Sequence, residues 1–115
     1  MKRDMDLVRR LLLETEAMPL DGAVVTIEGH TEEEIAYHIL LLKEAGLVDA
    51  IDLSSEQGID WRPTRLTWAG HEFLDAARDD RRWEKAKTVM VEKAGGVVFE
   101  VIKELLVQLV KASVS

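Results

Sequence analysis

The sequence predicts an α+β fold, mostly helical, and three observations predict it. Thr31 and Glu34 open a run in which Ile35, Ile39 and Leu42 recur at helical spacing. Gly46 closes that run, as a glycine in the left-handed conformation closes many helices. Directly after it, residues 48–53 switch to the apolar–acidic alternation of a half-buried strand. A capped helix stopped by glycine and handed straight to a strand is the core of the prediction.

The remaining elements follow in order. Residues 4–17 carry Met5, Val8, Leu11 and Leu12 at three- and four-residue spacing, which predicts an amphipathic helix. Pro19, Asp21 and Gly22 break the chain. Ala23-Val24-Val25-Thr26-Ile27 is short, apolar and β-branched, and is expected to be a strand. Thr31 and Glu34 form a capping box, with the Thr hydroxyl on the third helical amide and the Glu returning to the cap amide. After the strand over residues 48–53, Ser54-Ser55-Glu56-Gln57-Gly58 is a turn, and residues 61–67 return as a second strand whose Pro63 marks an edge. Thr67 caps a helix over residues 68–78, a further helix is expected over residues 80–93, Ala94-Gly95-Gly96 ends it, and residues 97–112 form a last helix. This order predicts a winged helix-turn-helix-like domain with a β-hairpin wing and extra C-terminal helices. Residues 1–78 would be its core and residues 79–115 a helical extension of the same single domain.

Composition narrows the class. A chain of 115 residues with 47% hydrophobic and 32% charged residues is long enough to bury a core and too apolar to be disordered throughout. It has no cysteine, hence no disulfide framework and no thiolate metal site, which suits a reducing cytoplasm. Lys2, Arg3, Asp4 and Asp6 before the short Leu11-Leu12-Leu13 run do not read as a secretory signal. No segment approaches the roughly 18 uncharged apolar residues that span a bilayer. The net charge of -7 disfavours non-specific nucleic-acid binding and favours neutral or basic partners.

Three segments carry a family resemblance: Met1-Lys2-Arg3-Asp4-Met5-Asp6-Leu7-Val8-Arg9, the stretch from Tyr37-His38 to Ala45-Gly46-Leu47, and Leu66-Thr67-Trp68-Ala69-Gly70-His71-Glu72-Phe73-Leu74-Asp75. With Trp83-Glu84-Lys85-Ala86-Lys87 and Phe99-Glu100-Val101-Ile102-Lys103, they resemble the phage- and prophage-associated bacterial family called domain of unknown function 2513. The resemblance implies a winged-helix fold and a home in phage or mobile-element genomes, and brings no biochemical function with it. More distantly, the central helix resembles the recognition helix of arsenic-sensing repressors, with His38 before Ile39 and Leu42, and Leu66-Thr67…Gly70 resembles the wing exit of winged-helix repressors. The chain departs from those repressors upstream, where residues 20–30 read as turn, strand and turn in place of a full helix.

With Ile35, Ile39 and Leu42 facing the core, the opposite side of the central helix carries Glu33, Tyr37, Leu40 and Glu44. A DNA reader would present Arg, Lys, Asn or Gln to base edges there. Residues 28–60 instead hold nine acidic side chains and one basic one, Lys43, a local balance of -8. DNA affinity comes chiefly from cations that displace counterions from phosphates, and this surface opposes it. Two readings follow: a solvated face favoured by the helix dipole, or a protein-binding face with Glu33, Tyr37, Leu40 and Glu44 as its candidate residues.

Should nucleic acid bind, the candidates are Arg62 and Arg65 on the wing with Arg81, Arg82 and Lys85 on the helix after it. His71 and Asp75, four apart with Asp79 continuing the face, are a weak metal pair whose plainer reading is a structural hydrogen bond. His38 is expected to be a structural imidazole. Trp61, Trp68 and Trp83 are expected to pack the wing and the helices. No nucleophile motif or phosphate loop is present, so no enzyme and no cofactor are expected. Phe99, Ile102, Leu105, Leu106 and Leu109 form a broad apolar arc on the last helix, fit for a groove of the same domain or for a homodimer interface. The function expected is a non-catalytic binding module with a protein partner, with a DNA-binding regulator as the alternative.

Overall fold

The structure is a computed structural model and describes residues 1–18 and 25–92. Asp4 starts helix α1 (Met5–Ala17) by taking the amides of Asp6 and Leu7 on its carboxylate, at 3.0 and 3.2 Å. These are two of the donors that a helix start leaves without an internal partner. α1 buries Leu7, Val8, Leu11, Leu12 and Thr15, and the Thr15 hydroxyl is satisfied by donating to the Leu11 carbonyl at 2.7 Å.

Residues 25–27 do not form the expected strand, and Ala23 and Val24 lie outside the described residues. The Ile27 carbonyl, which a ladder would use, accepts from the His30 amide at 3.2 Å in a turn through Gly29 at φ 88°. That turn delivers Thr31 to the start of α2 (Glu32–Glu44), where its hydroxyl accepts the Glu34 amide at 3.0 Å. The capping box is half made. The Glu34 carboxylate meets His30 Nδ1 at 2.5 Å and so does not return to the cap.

α2 ends as its sequence implies. The Leu47 amide reaches the Leu42 carbonyl and the Gly46 amide reaches that of Lys43, both at 3.0 Å, with Gly46 at φ 77°. This double closure with its buried Leu42 and Leu47 is a Schellman motif. It turns the chain into β1 (Val48–Asp52), which pairs antiparallel with β2 (Trp61–Leu66). Between Asp49↔Arg65 and Ala50↔Pro63 the register slips, so Thr64 is an extra residue on β2. The bulge lets Pro63 and Leu66, three apart, both be buried, and it puts Arg62 and Arg65 together on the outer face. The hairpin tip is closed by reciprocal bonds between Ser55 and Gly58 at 3.0 Å. α1 packs on α2 and β2, and α2 packs on both strands.

Thr67 begins α3 (Trp68–Ala77) by accepting the Gly70 amide at 3.1 Å, and Asp79 begins α4 (Asp80–Glu92) by accepting that of Arg82 at 3.0 Å. The chain divides into two units, Met1–His71 and the part from Glu72 onward. In the second, Phe73 and Trp83 are buried with their rings edge to face, centroids 6.5 Å apart. The described residues are therefore an α+β chain, mostly helical, with four helices and one two-stranded antiparallel hairpin. The helix expected over residues 97–112 lies outside the described residues. Among the described residues no helix is long and apolar enough to cross a membrane.

Candidate functional site

The expected core stripe of α2 is present and wider than its spacing implied, because Ala36 and His38 are buried beside Ile35, Ile39 and Leu42. His38 is fully buried. Its Nε2 accepts the Asp4 amide at 2.8 Å while its Nδ1 lies 2.8 Å from the Glu34 carbonyl. A backbone amide can only donate and a carbonyl can only accept, so the ring is the neutral Nδ1–H tautomer. His38 thus joins the start of α1 to the first turn of α2, in the structural role expected of it.

Widening the buried arc changes the opposite face. Glu33 and Glu44 are exposed as expected, whereas Tyr37 and Leu40 are half-buried, with the Tyr37 ring edge-on to His38 at 5.8 Å. The four candidates are therefore two open acids around two partly covered apolar side chains. The large apolar groups most open to solvent in this unit lie elsewhere: Met1 (65% exposed) at the start of the chain, Ile51 (44%) and Leu53 (47%) on the hairpin, and Trp68 (81%) at the start of α3. Trp68, expected to pack, is instead largely open to solvent. As the first residue of α3 it projects from the helix start, while Trp83 is buried and Trp61 is half-buried.

The cations of this unit's α2 and hairpin are engaged by its own groups. Arg65 meets Asp49, its partner across the strands, at 2.7 Å, and Arg62 grips both carboxylate oxygens of Asp60 at 3.3 and 3.1 Å. The Lys43 ammonium sits over the Trp61 ring, 5.9 Å from its centroid. Glu32, Glu33, Glu44, Asp52 and Glu56 remain on the surface. The Ser54 hydroxyl and amide hold the Asp52 carboxyl below its ordinary value against a small opposing effect of burial, keeping that charge in place.

In the second unit Arg81 and Lys85 are exposed and Arg82 is half-buried on α4. Asp75 pairs with Arg78 at 3.1 Å, which takes the carboxylate proposed for a metal, and His71 stands exposed. Among the described residues no group of three His, Cys, Asp or Glu side chains is placed to hold a metal ion. Phe99, Ile102, Leu105, Leu106 and Leu109 lie outside the described residues.

What these features define is a small, mostly helical α+β protein whose best-described surface is acidic. The family described as "Hypothetical protein (DUF2513)" matches residues 2–96, and the chain belongs to it. It is also 37% identical over 108 residues to an uncharacterized protein of Haemophilus influenzae, covering 91% of this chain and 92% of that one. No solved structure matches it.

Proposed function

We propose that the chain is a non-catalytic winged-helix module of phage or prophage type that acts by binding a protein, with host machinery or host defence as the class of target. One observation carries the reading. In the helix and hairpin that a winged-helix protein would lay on DNA, Lys43, Arg62 and Arg65 are occupied by Trp61, Asp60 and Asp49, while the acids stay open. Such a surface repels phosphates and suits a partner with basic groups. The order of capped helix, glycine stop, hairpin and helix supports the winged-helix part of the proposal.

Fluorescence anisotropy with duplex DNA across a salt series tests it. No salt-dependent binding is expected. Tight binding with a steep negative slope of log K against log salt would overturn the reading. Exposed Arg81 and Lys85, four apart on α4, favour one alternative, a DNA-binding regulator that touches phosphates through that helix. In that case Arg81→Ala and Lys85→Ala would each lower the salt slope by about one.

A further inference from the structure

A cleft of about 330 Å³ lies between α2 and the hairpin, inside the first unit. Its apolar lining is Ile35, Ala36 and Ile39 from α2, Ile59 and Trp61 from the hairpin, and Val25 from the segment that precedes α2. Leu53, 47% exposed, stands at its mouth. One lip carries Glu32 and the other Asp60, already paired with Arg62. This is a different face of α2 from the one that carries Tyr37 and Leu40.

The combination selects an occupant. The volume is enough for an apolar side chain together with the aliphatic stem of a neighbouring Lys or Arg, whose charged head would stay in water. Of the charged lining residues Glu32 is exposed while Asp60 and Arg62 pair with each other, and the hairpin residues next to Leu53 and Ser55, Asp52 and Glu56, are exposed acids. An anionic or nucleic-acid ligand meets a net negative lining there, its one cation Arg62 already paired with Asp60, and a purely apolar ligand leaves Glu32 without a counter-charge. We propose that the cleft between α2 and the hairpin is the docking groove for a cationic segment of a partner protein, one that alternates apolar residues with Lys or Arg. The proposal rests on the protein-partner reading above and says where and by what chemistry that partner is held.

The test titrates the ¹⁵N-labelled full chain with two short synthetic peptides of equal charge, one alternating Leu and Lys, the other Ser and Lys. The Leu–Lys peptide is expected to shift the amides of Ala36, Gly58, Ile59 and Trp61 saturably. Its affinity should fall about tenfold between low and near-physiological salt. The Ser–Lys peptide should bind at least about tenfold more weakly, since it lacks the apolar anchor. Glu32→Lys and Leu53→Glu both alter exposed side chains, and each should weaken the Leu–Lys peptide several-fold while leaving the spectrum folded. Equal binding of the two peptides would overturn the proposal, because charge alone would then account for it. So would the absence of any saturable shift, or unchanged affinity in both variants. Shifts clustered on Tyr37, Leu40 and Glu44 would overturn the cleft and leave the protein-partner reading standing, whereas tight duplex-DNA binding would remove that reading itself.

Discussion

The Thr67 hydroxyl donates to the Gly46 carbonyl at 2.6 Å and at the same time accepts the Gly70 amide at 3.1 Å. The Thr67 amide reaches the Leu47 carbonyl at 3.0 Å. One side chain thus caps α3 and ties its start to the turn that ends α2. Two of the most recognisable sequence segments, Ala45-Gly46-Leu47 and Leu66-Thr67-Trp68-Ala69-Gly70, are the two halves of this single junction. Thr67→Val keeps the shape and removes both hydroxyl bonds. It is expected to cost about 1–2 kcal/mol, a cap and a partly exposed hydrogen bond together. Thr67→Ser should recover most of that. Denaturant midpoints with unchanged m-values would measure it, and a Thr67→Val as stable as the wild type would remove the junction from the account.

The same junction ranks two glycines that look alike in sequence. A Cβ on Gly70 would lie 2.0 Å from the Leu47 carbonyl oxygen, a backbone atom that cannot step aside. A Cβ on Gly46 meets nothing within 4 Å, and the difficulty there is only its φ of 77°. Gly46→Ala is therefore expected to cost about 1–2 kcal/mol, the strain of one left-handed residue. Gly70→Ala should cost more, on the order of 3 kcal/mol or above, because α3 must shift off the turn. Equal thermal midpoints for the two variants would contradict the close approach.

His38 supplies a spectroscopic prediction. With the Asp4 amide on Nε2 and the Glu34 carbonyl at Nδ1, the imidazole is held as the Nδ1–H tautomer. Long-range ¹H–¹⁵N correlation on the ring nitrogens should show a protonated-type Nδ1 and an unprotonated Nε2. The opposite tautomer would sink the assignment. His38→Phe fills similar space but leaves the Asp4 amide facing an apolar ring, and a loss of about 2–3 kcal/mol is expected.

How much of this was legible in the sequence depends on the range of the interaction. The caps at Thr31 and Thr67 and the stop at Gly46 lie within one helical turn of what they bond, so local residue order reveals them. Glu34 shows where locality ends. It was expected to complete the Thr31 box, yet His30 takes its carboxylate, a competition that spacing does not decide. Arg62 and Arg65 were singled out as available cations, and their occupation depends on strand register and on the bulge at Thr64. The burial of His38, which widens the α2 core arc toward half-buried Tyr37 and Leu40, is likewise non-local, since its Nε2 partner is the Asp4 amide thirty-four residues away. The cleft is less legible still, since its lining comes from elements that only packing brings together.

Acid titration separates cap charge from cap geometry at Asp79. The Arg82 amide is the main group that holds its carboxyl below the ordinary value of 3.8; a little burial opposes this, and the charges of Arg82 and Arg81 assist. A depressed folded-state value contributes stability that is present above the unfolded value and lost as pH falls through the folded one. Asp79→Asn can still accept the Arg82 amide and lacks only the charge. It is expected to be less stable than the wild type at neutral pH, with the gap closing as pH drops below 3.8. Parallel denaturant curves from neutral pH down into that range would show it, and a gap that stays constant throughout would mean the charge plays no part.

The hairpin pairs lead to the sharpest test of why this surface would not take DNA. If Asp49 and Asp60 silence Arg65 and Arg62 by pairing with them, then Asp49→Asn with Asp60→Asn should release two cations and remove two repelling charges without moving the backbone. Both pairs are partly exposed, so solvent screening limits their worth, and stability should change by no more than about 1 kcal/mol. DNA affinity should respond far more. Each freed arginine that reaches a phosphate contributes about -0.9 to the slope of log K against log salt, so the double variant should acquire a slope near -2 from a wild type near zero. Anisotropy on the same duplex measures both proteins under one set of conditions. A double variant as silent as the wild type would place the block in the acids of α2, Glu32 and Glu33 foremost, and not in the hairpin pairs.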